Sequence, residues 1–454
     1  MKLSIIILAA GQGTRMCSGL PKVLHTLGGR PLLAHVIDSA RALEATDIHV
    51  VIGHGAESVR ESFADAGVQW VMQEQQLGTG HAVAQAMPDI ADDHVVLVMY
   101  GDVPLIRKDT LEPLCATAAQ GFVGVLTAEL DDPTGYGRIL HHADGSISGI
   151  VEEKDASSHE RGIREINTGF LAASAGALRR WVDALDNSNA QGEFYLTDVV
   201  ARAVSDGVGV RGICASSIAE VMGINDRMQL ATQERSYQRC QAEACMRRGV
   251  TLIDPERFDL RGTLAAGQDV IIDVNAVLEG DVRLGERVSI GPNVVLRNVR
   301  IGDDVTVLAN CVIEDADIGN AARIGPFARI RPETRLADNT HVGNFVEIKK
   351  SDVAAGSKIN HLSYIGDSSI GRNVNIGAGT ITCNYDGANK HRTVIGDNAF
   401  IGSDTQLVAP VTVGDGATIG AGSTITQDAP AAELTLSRSE QQTHKGWKRP
   451  VKKK

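Results

Sequence analysis

The chain has 454 residues, 43% hydrophobic and 22% charged, with a formal net charge of −12, an ordinary composition for a soluble protein of two or three domains. The acidic balance argues against a nucleic-acid binder, and no run of about 20 apolar residues offers a membrane span. Seven scattered cysteines without disulfide-like or zinc-like spacing, and no signal-peptide pattern ahead of Ile5, imply a cytoplasmic protein.

The N-terminal half alternates buried-strand runs with helical periodicity. Strands are predicted at Leu3–Leu8, His49–Ile52, Trp70–Met72, Val95–Tyr100 and Gly124–Leu126, and helices at Leu32–Leu43 and Ala82–Met87. That order gives an α/β domain with a mainly parallel sheet, in which ligands bind beyond the C-terminal strand ends. After the first strand comes Leu8-Ala-Ala-Gly-Gln-Gly-Thr-Arg-Met16, then Pro21-Lys22. Its glycines let backbone N–H groups crowd around phosphate oxygens, while Arg15 and Lys22 supply countercharge. A dinucleotide fingerprint would need a Gly where Met16 stands, and the Gly-Lys-Ser/Thr of a Walker A loop is absent.

Further strand ends carry polar strings. Gln73 follows the third strand, and Gln75-Gln-Leu-Gly-Thr-Gly-His81 offers amide and backbone groups suited to a base edge and phosphates. In Tyr100-Gly-Asp-Val-Pro104 the carboxylate stands where Mg²⁺ is held against nucleotide phosphates. Gly135-Tyr-Gly-Arg138, Gly149-Ile-Val-Glu-Glu153 and Glu165-Ile-Asn-Thr-Gly169 each end an apolar stretch with groups able to bind sugar hydroxyls. Asn225, in Gly223-Ile-Asn-Asp226, offers an amide oxygen as a second metal ligand.

Asp226 to Arg248 lacks Gly and Pro and is predicted as one exposed helix of about 35 Å, closed by Gly249. The predicted organisation is therefore 1–227, a helical linker 228–248, and 249–454.

Beyond Gly249 aliphatic-Gly pairs recur in sixes: Leu284-Gly285 and Ile290-Gly291, Ile318-Gly319 and Ile324-Gly325, Ile370-Gly371 and Ile376-Gly377, Ile395-Gly396 and Ile401-Gly402, Val413-Gly414 and Ile419-Gly420. Such a period predicts a parallel β-helix, with an aliphatic residue pointing into a narrow core once per hexad and the Gly easing each corner. An aromatic content of 4% suits so thin an interior. Arg331, Lys349 and Tyr364 recur near whole coils around His361, which predicts one cationic face with an imidazole at hand. Gly377 to Gly396 is 19 residues (396 − 377), one beyond three hexads, and contains the polar stretch Thr382–Arg392, predicted to be an extruded loop. The basic end, Lys445 to Lys454, reads equally as a solvated tail or as a contact for an anionic ligand or partner.

The string from Leu8 to Met16 with its Pro-Lys resembles the signature of sugar-1-phosphate nucleotidyltransferases, and the hexads resemble the left-handed β-helix of hexapeptide-repeat acyltransferases. Taken in order, these strings are similar, from the first strand to the basic end, to the bacterial bifunctional N-acetylglucosamine-1-phosphate uridylyltransferase and glucosamine-1-phosphate acetyltransferase family. The resemblance implies a Rossmann-like α/β nucleotidyltransferase domain, helix-linked to a left-handed β-helix, making UDP-N-acetylglucosamine for peptidoglycan and lipopolysaccharide synthesis. It implies UTP, glucosamine 1-phosphate, N-acetylglucosamine 1-phosphate and acetyl-CoA as substrates, Mg²⁺ as cofactor, and a homotrimer. Leu8, Ala9, Ala10, Gly11 and Lys22 would hold the nucleotide, with Arg15 and Lys22 catalytic. Gln73, Gly78 and Thr79 would recognise uracil and ribose. Tyr100, Gly101 and Asp102 would meet the nucleotide sugar, with Asp102 and Asn225 on the metal and Gly137, Glu152 and Asn167 on the sugar. His361 would be the general base of acetyl transfer. Arg331, Lys349, Tyr364 and Asn375 would hold glucosamine phosphate, and Ala378, Asn384, Tyr385, Ser403, Ala421 and Arg438 acetyl-CoA. The sequence departs at Gln12, where some relatives carry Lys. The alternative, a single-function nucleotidyltransferase with an oligomerising or regulatory β-helix, leaves the His361, Tyr364 and Asn384-Tyr385 cluster without a purpose.

Overall fold

The computed structural model describes residues 2–452; Lys453 and Lys454 of the basic end lie outside the described residues. Contacts divide the chain into two compact units, residues 1–237 and 238–454.

In the first unit the strands of the main sheet are β1 (Leu3–Leu8), β2 (Asp47–Ile52), β3 (Gln69–Met72), β4 (Val95–Tyr100), β5 (Val123–Glu129), β6 (Gly137–His141), β7 (Ile147–Val151), β8 (Glu165–Ser174) and β9 (Val210–Cys214). They form one sheet in the order β9-β5-β8-β4-β1-β2-β3, with β6 and β7 attached beside β8. The predicted parallel core is present, β1 lying parallel between β2 and β4. Its residues are buried on both faces, which explains why these strands read as unbroken apolar runs rather than alternations. Helices cover it at Leu32–Ala42 and Thr79–Ala86.

The antiparallel part was not evident in the sequence pattern. β8 runs antiparallel to both β4 and β5. The strings Gly135–Arg138 and Glu165–Gly169 therefore lie where β6 and β8 begin, not at the ends of apolar stretches. They still arrive at the ligand edge, because the N-terminal end of an antiparallel strand lies beside the C-terminal ends of its neighbours.

The linker helix spans Arg227–Arg247, and Gly249 follows in a left-handed conformation, φ 98°, as the missing Cβ permits. It is less exposed than its composition predicts: Gln233, Gln238, Ala242 and Cys245 are buried. The division between the two units falls inside it, after Tyr237.

The second unit is a parallel β-helix. One ladder of short strands aligns Ile272, Ile290, Val307, Ile324, Val342, Ile359, Ile376, Ile401 and Ile419 in successive coils. These side chains form a continuous aliphatic core in which Phe258 is the only aromatic member among the described residues. Each buried Ile contributes roughly 1.5–3 kcal/mol relative to exposure, and no coil could bury its own.

The hexad glycines serve a purpose different from the predicted corner. The left-handed residues come two positions later and are mostly not glycine, as at Arg287, Asn293, Asp304, Ala321 and Asn373. The glycine itself accommodates the next coil: a Cβ on Gly377 would lie 2.4 Å from Ser403 N, and one on Gly402 2.4 Å from Ala421 N. The interruption is also longer than the glycine count suggests. Ile376 aligns with Ile401, a coil of 25 residues (401 − 376), against 17 between Ile359 and Ile376. Gly377 and Gly396 stand at different corners, so their separation hides the loop.

Gly343 gives the tightest test of this packing, because a Cβ there would lie 1.9 Å from the Asn360 carbonyl oxygen. Gly343→Ala should cost the second unit about 3 kcal/mol, seen in calorimetry as a lowered transition for the β-helix with that of the first unit unmoved.

Candidate active sites

A cavity of about 300 Å³ opens at the C-terminal edge of the first sheet, lined by Leu8, Ala9, Ala10, Gly11, Lys22, Gln73, Gly78, Thr79, Tyr100 and Asp102. Nearly all the predicted nucleotide residues thus meet in one place. Gly101 joins two of their strings, its N–H donating to the Leu8 carbonyl oxygen at 2.9 Å. Gly78 is held at φ 111°, and a Cβ there would strike the Phe194 carbonyl oxygen at 2.6 Å, so the turn into the helix Thr79–Ala86 requires glycine. Gln76 of the Gln75–His81 string also lines the cavity, with Val23, Ala82 and Glu193, which were not anticipated. Glu193 comes from a loop without strand or helix periodicity, so no sequence signal marked it.

Charge is concentrated on one side. The Lys22 ammonium is ion-paired with Asp102 and lies 3.1 Å from Asn225 Oδ1. The predicted metal ligands therefore converge on a cation, and both offer hard oxygen atoms. Among the described residues no cluster of three or more His, Cys, Asp or Glu could enclose a metal. One carboxylate and one amide oxygen fit Mg²⁺, which usually takes one or two protein carboxylates and completes its shell with phosphate and water. Arg15, exposed on the turn Thr14–Met16, does not line the cavity.

The linker helix supports this side. Arg227 donates from Nε to the Met16 carbonyl oxygen at 3.2 Å and approaches His25 Nδ1 through Nη1 at 3.4 Å. Burial, then the Arg227 charge, lowers the His25 pKa. Gln229 accepts from the Asn225 N–H at 2.7 Å.

Gly137, Glu152 and Asn167 continue the site. A Cβ on Gly137 would lie 3.5 Å from Glu152 Oε2, and Asn167 lines a small cleft with Tyr100 and Thr197. Thr197, another unanticipated member, donates to Glu152 Oε1 at 2.9 Å. Burial pushes the Glu152 carboxyl above its ordinary pKa despite that bond. Burial, then the charges of Glu152 and Asp102, likewise raises the Tyr100 phenol. Behind the sugar residues, buried Arg138 pairs with Glu153 at 2.7 Å, tying together the two strands that carry Gly137 and Glu152.

In the β-helix, register sorts the predicted residues into columns. His361 lies beside Asn344 of the preceding coil. Two residues beyond the aligned isoleucines 359, 376, 401 and 419 come His361, Ala378, Ser403 and Ala421. The imidazole thus heads a column of small side chains, and Arg438 closes on it by donating to the Ala421 carbonyl oxygen at 2.7 Å. Asn375, three residues before Ala378, lies on the same side of the coil. The His361 ring meets Asn344 Oδ1 through Nδ1 at 3.0 Å; an amide oxygen there calls for a proton on Nδ1 and leaves the Nε2 lone pair free.

Arg331 and Lys349 occupy a second column, one residue beyond the paired Ile330 and Ile348, with Gly366 next. Tyr364 lies two residues back, yet its hydroxyl would stand 2.5 Å from a Cβ on Gly366, so its ring folds over the glycine into the same column. Arg331 pairs with Glu347 at 2.7 Å. Lys390, from the extruded loop, adds a cation: the Lys349 ammonium beside it lowers its pKa. Asn384 donates to Asp367, and Tyr385 donates to the Gly387 carbonyl oxygen at 2.6 Å within the loop.

One expectation is met in part: Arg331, Lys349 and the Tyr364 ring share a column, while His361 stands across the adjoining corner. His361 precedes the corner at Leu362, in line with Phe345, whereas Lys349 precedes the corner at Lys350. From Phe345 to Lys350 is one side of the coil, five residues (350 − 345) or about 16 Å. The spacing correctly stacks Arg331 with Lys349, but a repeat near 18 cannot tell one corner from another.

Residues 5–165 match the model of the MobA-like NTP transferase domain, and residues 267–298 and 392–427 that of the bacterial transferase hexapeptide, six repeats. The bifunctional protein GlmU of Alkalilimnicola ehrlichii is 60% identical over 99% of this chain and 96% of its own length. That of Methylococcus capsulatus is 59% identical over 100% and 98%. The chain belongs to the bifunctional GlmU family. The GlmU protein of Marinobacter nauticus is 57% identical over 99% of both chains. Membership places the β-helix in the left-handed hexapeptide-repeat class. Among the described residues no helix is long and apolar enough to cross a membrane.

Proposed function

We propose that residues 1–227 transfer uridylyl groups and residues 249–454 transfer acetyl groups, with 228–248 as linker. The chain is a bifunctional transferase: it acetylates glucosamine 1-phosphate from acetyl-CoA, then joins the product to UMP from UTP, releasing pyrophosphate and giving UDP-N-acetylglucosamine for peptidoglycan and lipopolysaccharide synthesis. The observation that carries this reading is that one chain holds both the Lys22, Asp102, Asn225 cavity and a β-helix column running from His361 to Arg438.

In the first unit, the Leu8–Gly11 backbone and Lys22 hold the triphosphate, while Gln73, Gly78 and Thr79 face the base and ribose. Gly137, Glu152 and Asn167 orient the sugar so that its phosphate oxygen lies in line with the α-phosphorus. That oxygen is already ionised at neutral pH, so positioning and charge neutralisation do the work. Lys22 and Arg15 offset the negative charge gathered on the leaving pyrophosphate. Mg²⁺, held by Asp102 and Asn225, supplies further neutralisation when bound.

In the second unit Nε2 of His361 takes a proton from the glucosamine ammonium. The freed amine attacks the thioester carbonyl, the C–S bond breaks, and the coenzyme A thiolate leaves to be protonated. Asn344 keeps Nδ1 protonated throughout. Ala378, Ser403 and Ala421 give the cofactor a smooth edge along their column, with Arg438, Asn384 and Tyr385 as polar contacts. Asn375 and the Arg331, Lys349, Tyr364 corner bind the sugar phosphate.

An exposed apolar corner supports a homotrimer, in which a neighbouring copy borders the site headed by His361. Phe327, Phe345 and Leu362 form an exposed apolar corner beside His361, the two phenyl rings stacked with centroids 5.3 Å apart. Exposed large side chains in left-handed conformations are uncommon, and a second copy of the chain gives them a burial partner.

Assaying both half-reactions on one preparation tests the division. Asp102→Asn should cripple uridylyl transfer at ordinary Mg²⁺ and spare acetyl transfer; His361→Ala should cost acetyl transfer about 10²–10⁴-fold and spare the other. Either variant lowering both equally would reject it. Because burial raises the Glu152 pKa, this carboxylate is lost on acidification above the ordinary value of about 4.3. The KM for N-acetylglucosamine 1-phosphate should therefore start to rise above that pH, and Glu152→Gln should flatten the profile. Phe345→Glu should yield monomers in sedimentation, with acetyl transfer abolished and uridylyl transfer kept.

A further inference from the structure

His81 ends the Gln75–His81 string, and no step above employs it. It stands on the helix Thr79–Ala86, outside the residues that line the cavity, with Nδ1 2.9 Å from Gln73 Nε2. The same Gln73 nitrogen lies 3.2 Å from the Gly78 carbonyl oxygen. A carbonyl oxygen only accepts, so the end of the carboxamide turned toward it is the NH₂ group, which fixes the orientation chemically. Both Gln73 N–H bonds are then used, one on Gly78 and one on the Nδ1 lone pair of His81. For Nδ1 to accept, the ring proton must sit on Nε2; the Gln85 amide nitrogen stands 3.3 Å from that atom, and turning the carboxamide over presents its oxygen to the Nε2–H instead. Phe194, tilted 34° to the imidazole at 6.4 Å between centroids, packs beside the ring.

Gln73 is almost fully buried and lines the cavity, so its Oε1 is the one polar group its side chain can offer inward. We propose that His81 is a positioning residue for base selectivity, locking the Gln73 carboxamide with its oxygen toward the nucleotide base. The inference rests on the reading that Gln73 faces that base. An inward oxygen accepts from the N3–H of uracil. Cytosine presents a lone pair at the same position, and two acceptors facing each other in a buried site leave both unpaired. Without His81 one of the two restraints on the NH₂ group is gone, and the carboxamide can turn its donor toward cytosine.

The test compares UTP with CTP on the full-length protein with Mg²⁺ and N-acetylglucosamine 1-phosphate, reading kcat/KM and equilibrium binding of each nucleotide. His81→Phe and His81→Leu lack an acceptor, and whichever is shown folded by its melting curve serves; His81→Asn keeps an acceptor oxygen. The acceptor-free variants should lower the UTP preference at least tenfold, which is about 1.4 kcal/mol, through the KM for UTP with kcat changed only a few-fold. His81→Asn should retain the preference within about threefold. An unchanged preference, or a parallel loss for both nucleotides, would overturn the proposal as a merely structural role. Gln73→Leu separates the two readings. If it leaves the preference intact, Gln73 does not face the base; if it abolishes the preference while His81→Phe does not, only the role of His81 is rejected.

Discussion

The distance between neighbouring coils governs the second half of this molecule. Parallel strands stack at about 4.8 Å, and wherever the hexad glycines face the next coil no room remains for even a methyl group: a Cβ on Gly343 or Gly377 would collide with backbone atoms. Slippage by one residue would put aliphatic residues where those glycines must be and polar ones into the core, so the register is fixed. Fixed register turns residues far apart in sequence into vertical neighbours. Asn344 comes to hold His361, and Ala378, Ser403 and Ala421 line up beyond it. The column headed by His361 is therefore a consequence of the packing rule, needing no separate scaffold.

The first unit solves a different problem, gathering anions. Its cavity lies at strand ends where backbone N–H groups are unspent, and its strongest charges already face one another: Lys22 with Asp102, beside Asn225. An ammonium held by a carboxylate is available to phosphate only when something else satisfies that carboxylate. The family's Mg²⁺ requirement fits this arrangement, since a divalent cation on Asp102 and Asn225 would free Lys22 for the triphosphate. The linker helix reinforces the geometry through Arg227 and Gln229, which hold the turn after the Gly-x-Gly string and the backbone at Asn225.

Much of this was legible in the sequence, for identifiable reasons. Strands buried on both faces leave unbroken apolar runs, so β1 and β4 match their predicted limits residue for residue. The hexads likewise revealed the β-helix, because each side of a coil sends an aliphatic residue into the core at the same step, with a second apolar residue two positions before it, as Val288 precedes Ile290. Antiparallel β6, β7 and β8 were invisible because half-exposed strands mix polar and apolar residues. Partners such as Thr197, Asn344 and Glu193 carry no motif; each is brought to its position only by the fold. The linker helix looked fully exposed because its buried Gln233 and Gln238 are polar, their amides bonded to backbone groups.

The separation of His361 from Lys349 shows what periodicity alone conceals. A repeat near 18 residues brings any position back to its own corner but does not say which corner that is. Corner identity follows from counting residues to the nearest left-handed position, Leu362 in one case and Lys350 in the other. Once those are assigned, the His361 backbone stands at one corner of the prism and that of Arg331 and Lys349 near the next, about 16 Å along one side. Arginine and lysine carry long stems, and the Tyr364 ring, three residues after His361, leans over Gly366 into the Lys349 column, so the gap between the side chains is smaller than the gap between the corners. The exposed, stacked rings of Phe327 and Phe345 lie at the His361 corner, an apolar edge of the kind that a second copy of the chain would bury.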